Sequence, residues 1–208
     1  MGQKSLIQNG IPVKTVERLL TYKVILHELL EQQKDFIRSY ELAEFANNKP
    51  EQVRRDVMSI DYIGNPAKGY EIKLLLKKIN KRLNLKAQIK VGIVGFGRLG
   101  TSILSYFKEH KTRIDVVAVF DTDTSKIKGN ETFFNIDRLQ ETIEKEQITL
   151  IILAIPAKST HRITEILNKT NIKGILNFTP VQLKVKKGIT VNRIDITLEM
   201  EKLIFYCH

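Results

Sequence analysis

The residues Gly95-Phe96-Gly97-Arg98-Leu99-Gly100 narrow the possible folds more than any other part of this chain. An apolar run, IKVGIVG, leads into them, and a helical pattern, LGTSILSYFKEH, leads out. The spacing has a mechanical reading. Gly95 permits a tight turn, Gly97 lets a pyrophosphate approach the backbone, and Gly100 allows the helix to pack against the strand. N–H groups at the start of that helix then face the phosphate oxygens, with Phe96, Arg98 and Leu99 completing the loop. A second apolar run, IDVVAVF, ends in Asp121 about 20 residues beyond the last glycine, where an acid accepts hydrogen bonds from ribose hydroxyls and repels a 2′-phosphate. The expected ligand is therefore NAD(H) rather than NADP(H), and the bland alternative is a Rossmann-like sheet with an altered pocket.

Further β-rich runs, TLIILAIP and GILNF, alternate with the helical stretches IDRLQETIEKEQ and KSTHRITEILNKT. Alternation of this kind predicts βαβ crossovers and a parallel sheet. Ligands of open α/β sheets sit outside the carboxyl ends of the strands, which makes Pro156, Ala157, Phe178, Thr179 and Pro180 candidates for the nicotinamide half of the pocket. The Phe178 ring fits a core position equally well.

Upstream the period is helical. Val16, Leu19, Leu20, Leu26, Leu29 and Leu30 line one stripe of a helix expected from about Lys14 to Gln33. Ser39 is placed to cap a short helix, Asn47-Asn48 to break it, and Pro50 to open another, PEQVRRDVMSID. That is the layout of a helix-turn-helix. Val53 and Val57 face its core, while Gln52, Arg54 and Arg55 lie off that stripe, where arginines can reach phosphates and guanine edges. A three-helix scaffold with solvated arginines is the plain alternative. The stretch DYIGNPAKGYEIK signals a hairpin, which after a recognition helix is a wing with Lys68 at its tip. Ser39, Gln52, Arg54, Arg55 and Lys68 are the candidate DNA contacts. Leu74 to Leu83 predicts a closing helix whose lysines form a solvated face.

The two styles meet near Asn84 to Gln88, which predicts domains at 1–84 and 85–194 with a terminal helical segment at 195–208. Across 208 residues, 42% hydrophobic and 27% charged composition describes a chain that buries a core, and a net charge of +11 suits polyanionic partners. There is no apolar run of membrane-spanning length and the opening MGQKSLIQNGIPVK lacks the apolar stretch of a signal peptide, so a cytoplasmic protein is expected. A single cysteine, Cys207, excludes an internal disulfide and a cysteine-built zinc site. No substrate domain is left over after the sheet, and His27, His110, His161 and His208 show no base-and-partner spacing, so catalytic residues are not expected. A small NAD-dependent oxidoreductase with a basic dimerising module remains the rival reading.

In combination, IPVKTVERLLTY, QVRRD, VGIVGFGRLG, FDTD, IPAKSTHRITEIL, IKGILNFTP and VNRIDITLEMEKLIFY resemble the Rex family of redox-sensing transcriptional repressors over nearly the whole chain. The resemblance implies an N-terminal winged helix-turn-helix domain, a Rossmann-type NAD(H)-binding domain and a C-terminal helix from Ile196 to Tyr206 swapped onto the partner subunit. It implies a homodimer that binds palindromic operator DNA when NAD⁺ prevails and is released by NADH. The recognition helix falls on Pro50–Asp61, the tyrosine near the partner subunit's nicotinamide on Tyr106, and a pair across the domain interface on Arg18 and Asp195. The sequence departs from the family after RRD. A run resembling FG-x-FG-x-RG is replaced by VMSIDYIGNPAK, without the wing arginine, and the stretch between Lys126 and Asp137 is shorter. A Rex-like regulator with altered ligand or operator is the corresponding variant reading.

Overall fold

The computed structural model describes residues 7–8, 11–85, 87–110, 112–123, 125 and 132–207. Residues 126–131, half of the stretch that the resemblance marks as short, lie outside the described residues. The chain divides into two compact units, Met1–Ala87 and Gln88–His208.

In the first unit a short antiparallel pair, β1 (Ile7–Gln8) and β2 (Ile11–Pro12), precedes helix α1 (Val13–Glu31). The buried face of α1 is Thr15, Leu19, Tyr22, Leu26 and Leu29, at alternating steps of four and three residues. Leu20, expected on that stripe, is exposed; Tyr22 occupies the centre instead. Strand β3 (Phe36–Ile37) follows, then α2 (Ser39–Phe45) and α3 (Pro50–Met58). Ser39 does not cap α2. It is the first helical residue, Arg38 holds the cap position, and the Glu41 carboxylate accepts from the Arg38 backbone N–H at 2.7 Å. The regular part of α3 ends at Met58 rather than at Asp61, and one further turn carries the chain on. Asp61, at φ 55, closes it with N–H bonds from Asp61 to Met58 and from Tyr62 to Val57.

The predicted hairpin is reduced to a five-residue loop. Asn65 and Gly69 exchange backbone hydrogen bonds at 2.7 and 2.8 Å, and the outgoing strand β4 (Tyr70–Glu71) pairs antiparallel with β3 from before α2. Gly69, at φ +85, passes so close to the Ile37 carbonyl that a Cβ would lie 2.5 Å from it. Helix α4 (Ile72–Arg82) begins two residues earlier than expected because Ile72 is its first buried contact, followed by Leu75, Leu76 and Ile79.

The second unit is a six-stranded sheet, parallel throughout. Its strands are β5 (Ile89–Val94), β6 (Ile114–Asp121), β7 (Phe133–Asn135), β8 (Leu150–Leu153), β9 (Gly174–Asn177) and β10 (Thr190–Arg193), in the spatial order β10-β9-β8-β5-β6-β7. This is the doubly wound order with its switch point between β5 and β8. Helix α5 (Arg98–Glu109) contributes Leu104 to a core with Val91, Ile93, Val119 and Ile152. Helices α6 (Leu139–Glu146) and α7 (Thr160–Asn168) pack Leu139, Ile143, Ile163 and Leu167 against Val94, Phe120, Ile151 and Leu153. Alternate residues of the central strands therefore serve opposite cores, as an apolar strand covered on both faces requires. Strands β7 and β10, absent from the sequence reading, form the two edges. Helix α8 (Ile196–Cys207), the last described element, has no buried residue.

Among the described residues, five helical segments end on a non-glycine residue at positive φ: Gln33, Asn47, Asp61, Asn84 and Gln147. Each makes the paired 6→1 and 5→2 backbone bonds of a Schellman cap, for instance Lys34 N–H to Leu29 O and Gln33 N–H to Leu30 O, both 2.9 Å. Glutamine gains nothing locally from this conformation, whereas glycine adopts it freely. Gln33→Gly and Gln147→Gly are each expected to raise stability by up to about 1 kcal/mol, read as an increased denaturation midpoint, with a smaller gain for Asn47→Gly. A loss of stability at both glutamines would contradict this account.

Candidate functional site

The loop between β5 and α5 sits at the switch point of the sheet. Gly95 adopts φ +99 and a Cβ there would lie 2.3 Å from the Ala154 carbonyl oxygen; a Cβ on Gly100 would lie 2.0 Å from the Gly95 carbonyl oxygen. Only glycine fits either position. Gly97 differs, since a Cβ on it would meet nothing within 4 Å. That is a surface left open for something to approach. The Gly95 N–H donates to Phe120 O and the Ala154 N–H to Val94 O, both at 2.8 Å, fixing the loop between β6 and β8.

A cavity of about 440 Å³ opens beside this loop. Gly95, Gly97, Arg98, Leu99, Asp121 and Pro156 line it, together with apolar Ile136, Ile155 and Ile163. Asp121 ends β6 and accepts from the Phe96 N–H at 2.6 Å and the Asp123 N–H at 2.8 Å, so the acid is held at the mouth of the glycine turn. The remaining candidates do not line this cavity. The Phe96 ring packs edge-on against Phe133 at 4.5 Å between centroids. Phe178 packs into the same core as Phe96, Thr179 is buried and accepts nothing from outside its own turn, and Ala157 and Pro180 are exposed. Tyr106 is exposed on α5 and stacks on His110 at 4.2 Å.

The first unit presents α3 with Arg54 and Arg55 exposed. Arg54 donates to Ser39 Oγ at 3.1 Å and to Glu51 Oε1 at 2.9 Å, while Arg55 donates to Gln52 Oε1 at 2.9 Å. A second cavity, about 400 Å³, lies between α3 and the Asn65–Gly69 loop and is lined by Arg38, Arg54, Tyr40, Met58 and Ile63. Cations beside exposed apolar groups suit a sugar-phosphate strand. Lys68 projects over the Phe36 ring, 5.4 Å from its centre.

Sequence reasoning missed the group beneath this surface. Asp56 is 2% exposed, and Arg18 binds it through Nε at 2.6 Å and Nη2 at 2.7 Å. The Tyr22 hydroxyl donates to it at 3.0 Å; burial and this carboxylate together push the Tyr22 hydroxyl's pKa well up. The Asp56 hydrogen bond likewise raises that of Arg18. Arg18 is thus partnered within its own unit. Asp195 pairs with Arg193 and accepts from the Leu198 N–H at 3.2 Å, which makes it the N-terminal cap of α8. Among the described residues no group of three His, Cys, Asp or Glu side chains could hold a metal ion, and no helix is long and apolar enough to cross a membrane.

Comparison with known proteins covers both units. Residues 10–57 match the family described as "Putative DNA-binding protein N-terminus", and residues 86–181 match "CoA binding domain". The fold is similar to the crystal structure of RSP, a Rex-family repressor, with a TM-score of 0.81 over 95% of this chain and 94% of that one at 24% identity. RSP has also been solved with β-NAD⁺ and operator DNA, and with β-NADH. The redox-sensing transcriptional repressor Rex of Listeria welshimeri is 31% identical over 94% of this chain and 93% of its own length. Rex 1 of Thermotoga maritima is 32% identical over 94% and 95%, and Rex of a Geobacillus species is 34% identical over 96% and 94%. With both of its units matched and relatives of this identity aligned from end to end, the chain belongs to the Rex family of redox-sensing transcriptional repressors.

Proposed function

We propose that this chain is a cytoplasmic, homodimeric DNA-binding repressor that senses the NADH/NAD⁺ ratio, holding operator DNA with NAD⁺ and leaving it when NADH binds. The observation that carries the ligand half is the contrast among three glycines. Gly95 and Gly100 are required by packing, whereas Gly97 faces open space beside Asp121. A dinucleotide pyrophosphate would rest on the backbone of Gly97 and the first N–H groups of α5, and its adenosine ribose on Asp121. Coenzyme A shares adenosine and pyrophosphate but carries an additional phosphate on the ribose, which a carboxylate at that point repels. The chain's share of the switch is the shape and polarity of this pocket. NADH lacks the positive charge of NAD⁺, so apolar groups meeting the nicotinamide beyond this cavity, for which Phe178 and Tyr106 are the candidates, can favour one form over the other. A difference in affinity between two dimer states is what moves the equilibrium.

The DNA half rests on α3, with Arg54 and Arg55 directed outward. The Arg54–Glu51 pair is exposed on both sides and screened by water, so a phosphate or guanine edge can displace it. The dimer half rests on α8, where Ile196, Leu198, Met200, Leu203, Ile204, Phe205 and Tyr206 are all exposed in the single chain. The short Asn65–Gly69 loop, with Lys68, would take the place of a longer wing at the flanking groove.

Ligand binding, stability, DNA binding and subunit assembly each test this reading. In NADH fluorescence titrations, Gly97→Ala is expected to weaken binding at least about tenfold while changing stability by less than about 1 kcal/mol, because its Cβ meets only the ligand's space. Gly100→Ala is expected to lose about 1–3 kcal/mol of stability through overpacking against Gly95. Coenzyme A binding as well as NADH would redirect the ligand assignment. Binding of a duplex enriched from a random-sequence pool, measured with NAD⁺ and with NADH at one salt concentration, is expected to differ by roughly 5–150-fold. Equal affinity would refute the switch. Leu203→Glu with Ile204→Glu is expected to turn a dimer into a monomer by light scattering; an unchanged mass would remove α8 from the interface.

A further inference from the structure

We propose that Asp56 is the positioning residue of the DNA-reading surface and that it acts through Gln52, which makes Gln52 a relay and Arg55 the reader. The inference rests on the DNA-binding reading of α3 given above. Its geometry is a chain of hydrogen bonds running from the core outward. Oδ1 of Asp56 accepts from Arg18 Nη2 at 2.7 Å and Gln52 Nε2 at 2.8 Å; Oδ2 accepts from Arg18 Nε at 2.6 Å and the Tyr22 hydroxyl at 3.0 Å. Two donors on each oxygen use the whole acceptor capacity of a carboxylate, about four sites. Gln52 Oε1 then accepts from Arg55 Nη2 at 2.9 Å.

The direction of this chain is dictated by chemistry. Asp56 only accepts and the Arg55 guanidinium only donates, so the amide between them has one allowed orientation, with NH₂ inward and oxygen outward. One N–H and one lone pair of the Gln52 amide are engaged in this chain, with one of each remaining, and the two bonds together fix the orientation of the amide. What it supplies is a fixed acceptor that holds the Arg55 fork in place before DNA arrives, lowering the ordering cost that a free arginine would bear on binding. Arg54 is anchored differently, through Ser39 and Glu51, with no bond in this chain. The two arginines therefore separate a relay from a general effect on the fold. Asp56 supporting α3 merely as a scaffold would affect both alike; a relay affects Arg55 alone.

The test is a set of double-mutant cycles on the full chain, using the duplex enriched by the wild type and one salt concentration. Gln52→Leu, which leaves Arg18 and Tyr22 on Asp56, is expected to weaken binding about fivefold in the wild type and less than about twofold in an Arg55→Ala background. In an Arg54→Ala background its full effect should persist. Asp56→Asn should give the same pattern; where that variant is unfolded at the assay temperature, the Gln52→Leu cycles decide alone. An equal cost in the Arg55→Ala and Arg54→Ala backgrounds would overturn the relay while leaving DNA binding intact. A wild type that enriches no duplex would instead overturn the DNA-binding reading and the relay with it.

Discussion

The ligand-binding end of the second unit depends on one close approach. A Cβ on Gly100 would lie 2.0 Å from the Gly95 carbonyl oxygen, so α5 begins nearer to β5 than any side chain allows. That contact sets where the helix N-terminus stands, and with it the N–H groups that carry its positive end. It also keeps the turn short enough for the Gly95 N–H to reach Phe120 O and for the Ala154 N–H to reach Val94 O. Strands β6 and β8 flank β5, and their connections leave in opposite directions at the switch point, which is why a cavity opens there.

The first unit solves its positioning problem with charge. Helix α3 is nine residues long and buries only two apolar side chains, Val53 and Val57. At about 1.5–3 kcal/mol for each fully buried side chain, they attach the helix but leave its rotation loosely specified. A buried carboxylate is costly to desolvate, and leaving it unpaired costs about 3–5 kcal/mol, so the orientation that saturates Asp56 is strongly preferred. Arg18 and Tyr22, one turn apart on α1, supply three of its four donors. The network thus converts a weak apolar contact into a defined angle between α1 and α3.

Much of this architecture was legible because apolar patterning reports burial. Ile89–Val94, Ile114–Asp121, Leu150–Leu153 and Gly174–Asn177 are central strands, and their apolar runs announce them. Phe133–Asn135 and Thr190–Arg193 are edges; the second is polar and largely exposed, and neither carries a run that distinguishes it from a loop. The Gly95–Gly100 loop and Asp121 were legible as a set because each residue type has a steric or electrostatic reason to be there. Asp56 was not, because a sequence does not distinguish a buried carboxylate from a solvated one when the partners that satisfy it lie 34 and 38 residues away. Ser39 looked like a cap because serine caps helices. The helix starts one residue earlier than a serine cap requires, since Glu41 already satisfies the Arg38 N–H.

Helix α8 shows how the same patterning can mislead. Ile196, Met200, Leu203 and Ile204 suggest a single stripe, the mark of a helix docked on one face. In the structure Leu198, Phe205 and Tyr206 are exposed as well, and at 100° per residue the seven positions surround the helix axis. A stripe is covered by stacking on one surface. Although Glu199, Glu201 and Lys202 lie between them, apolar residues pointing in several directions need contacts on more than one side, because each one left in water forfeits its transfer free energy. In the proposed dimer, insertion of α8 into a second copy encloses it where simple stacking does not. Asp195, capping the first turn of α8, fixes where that inserted helix begins.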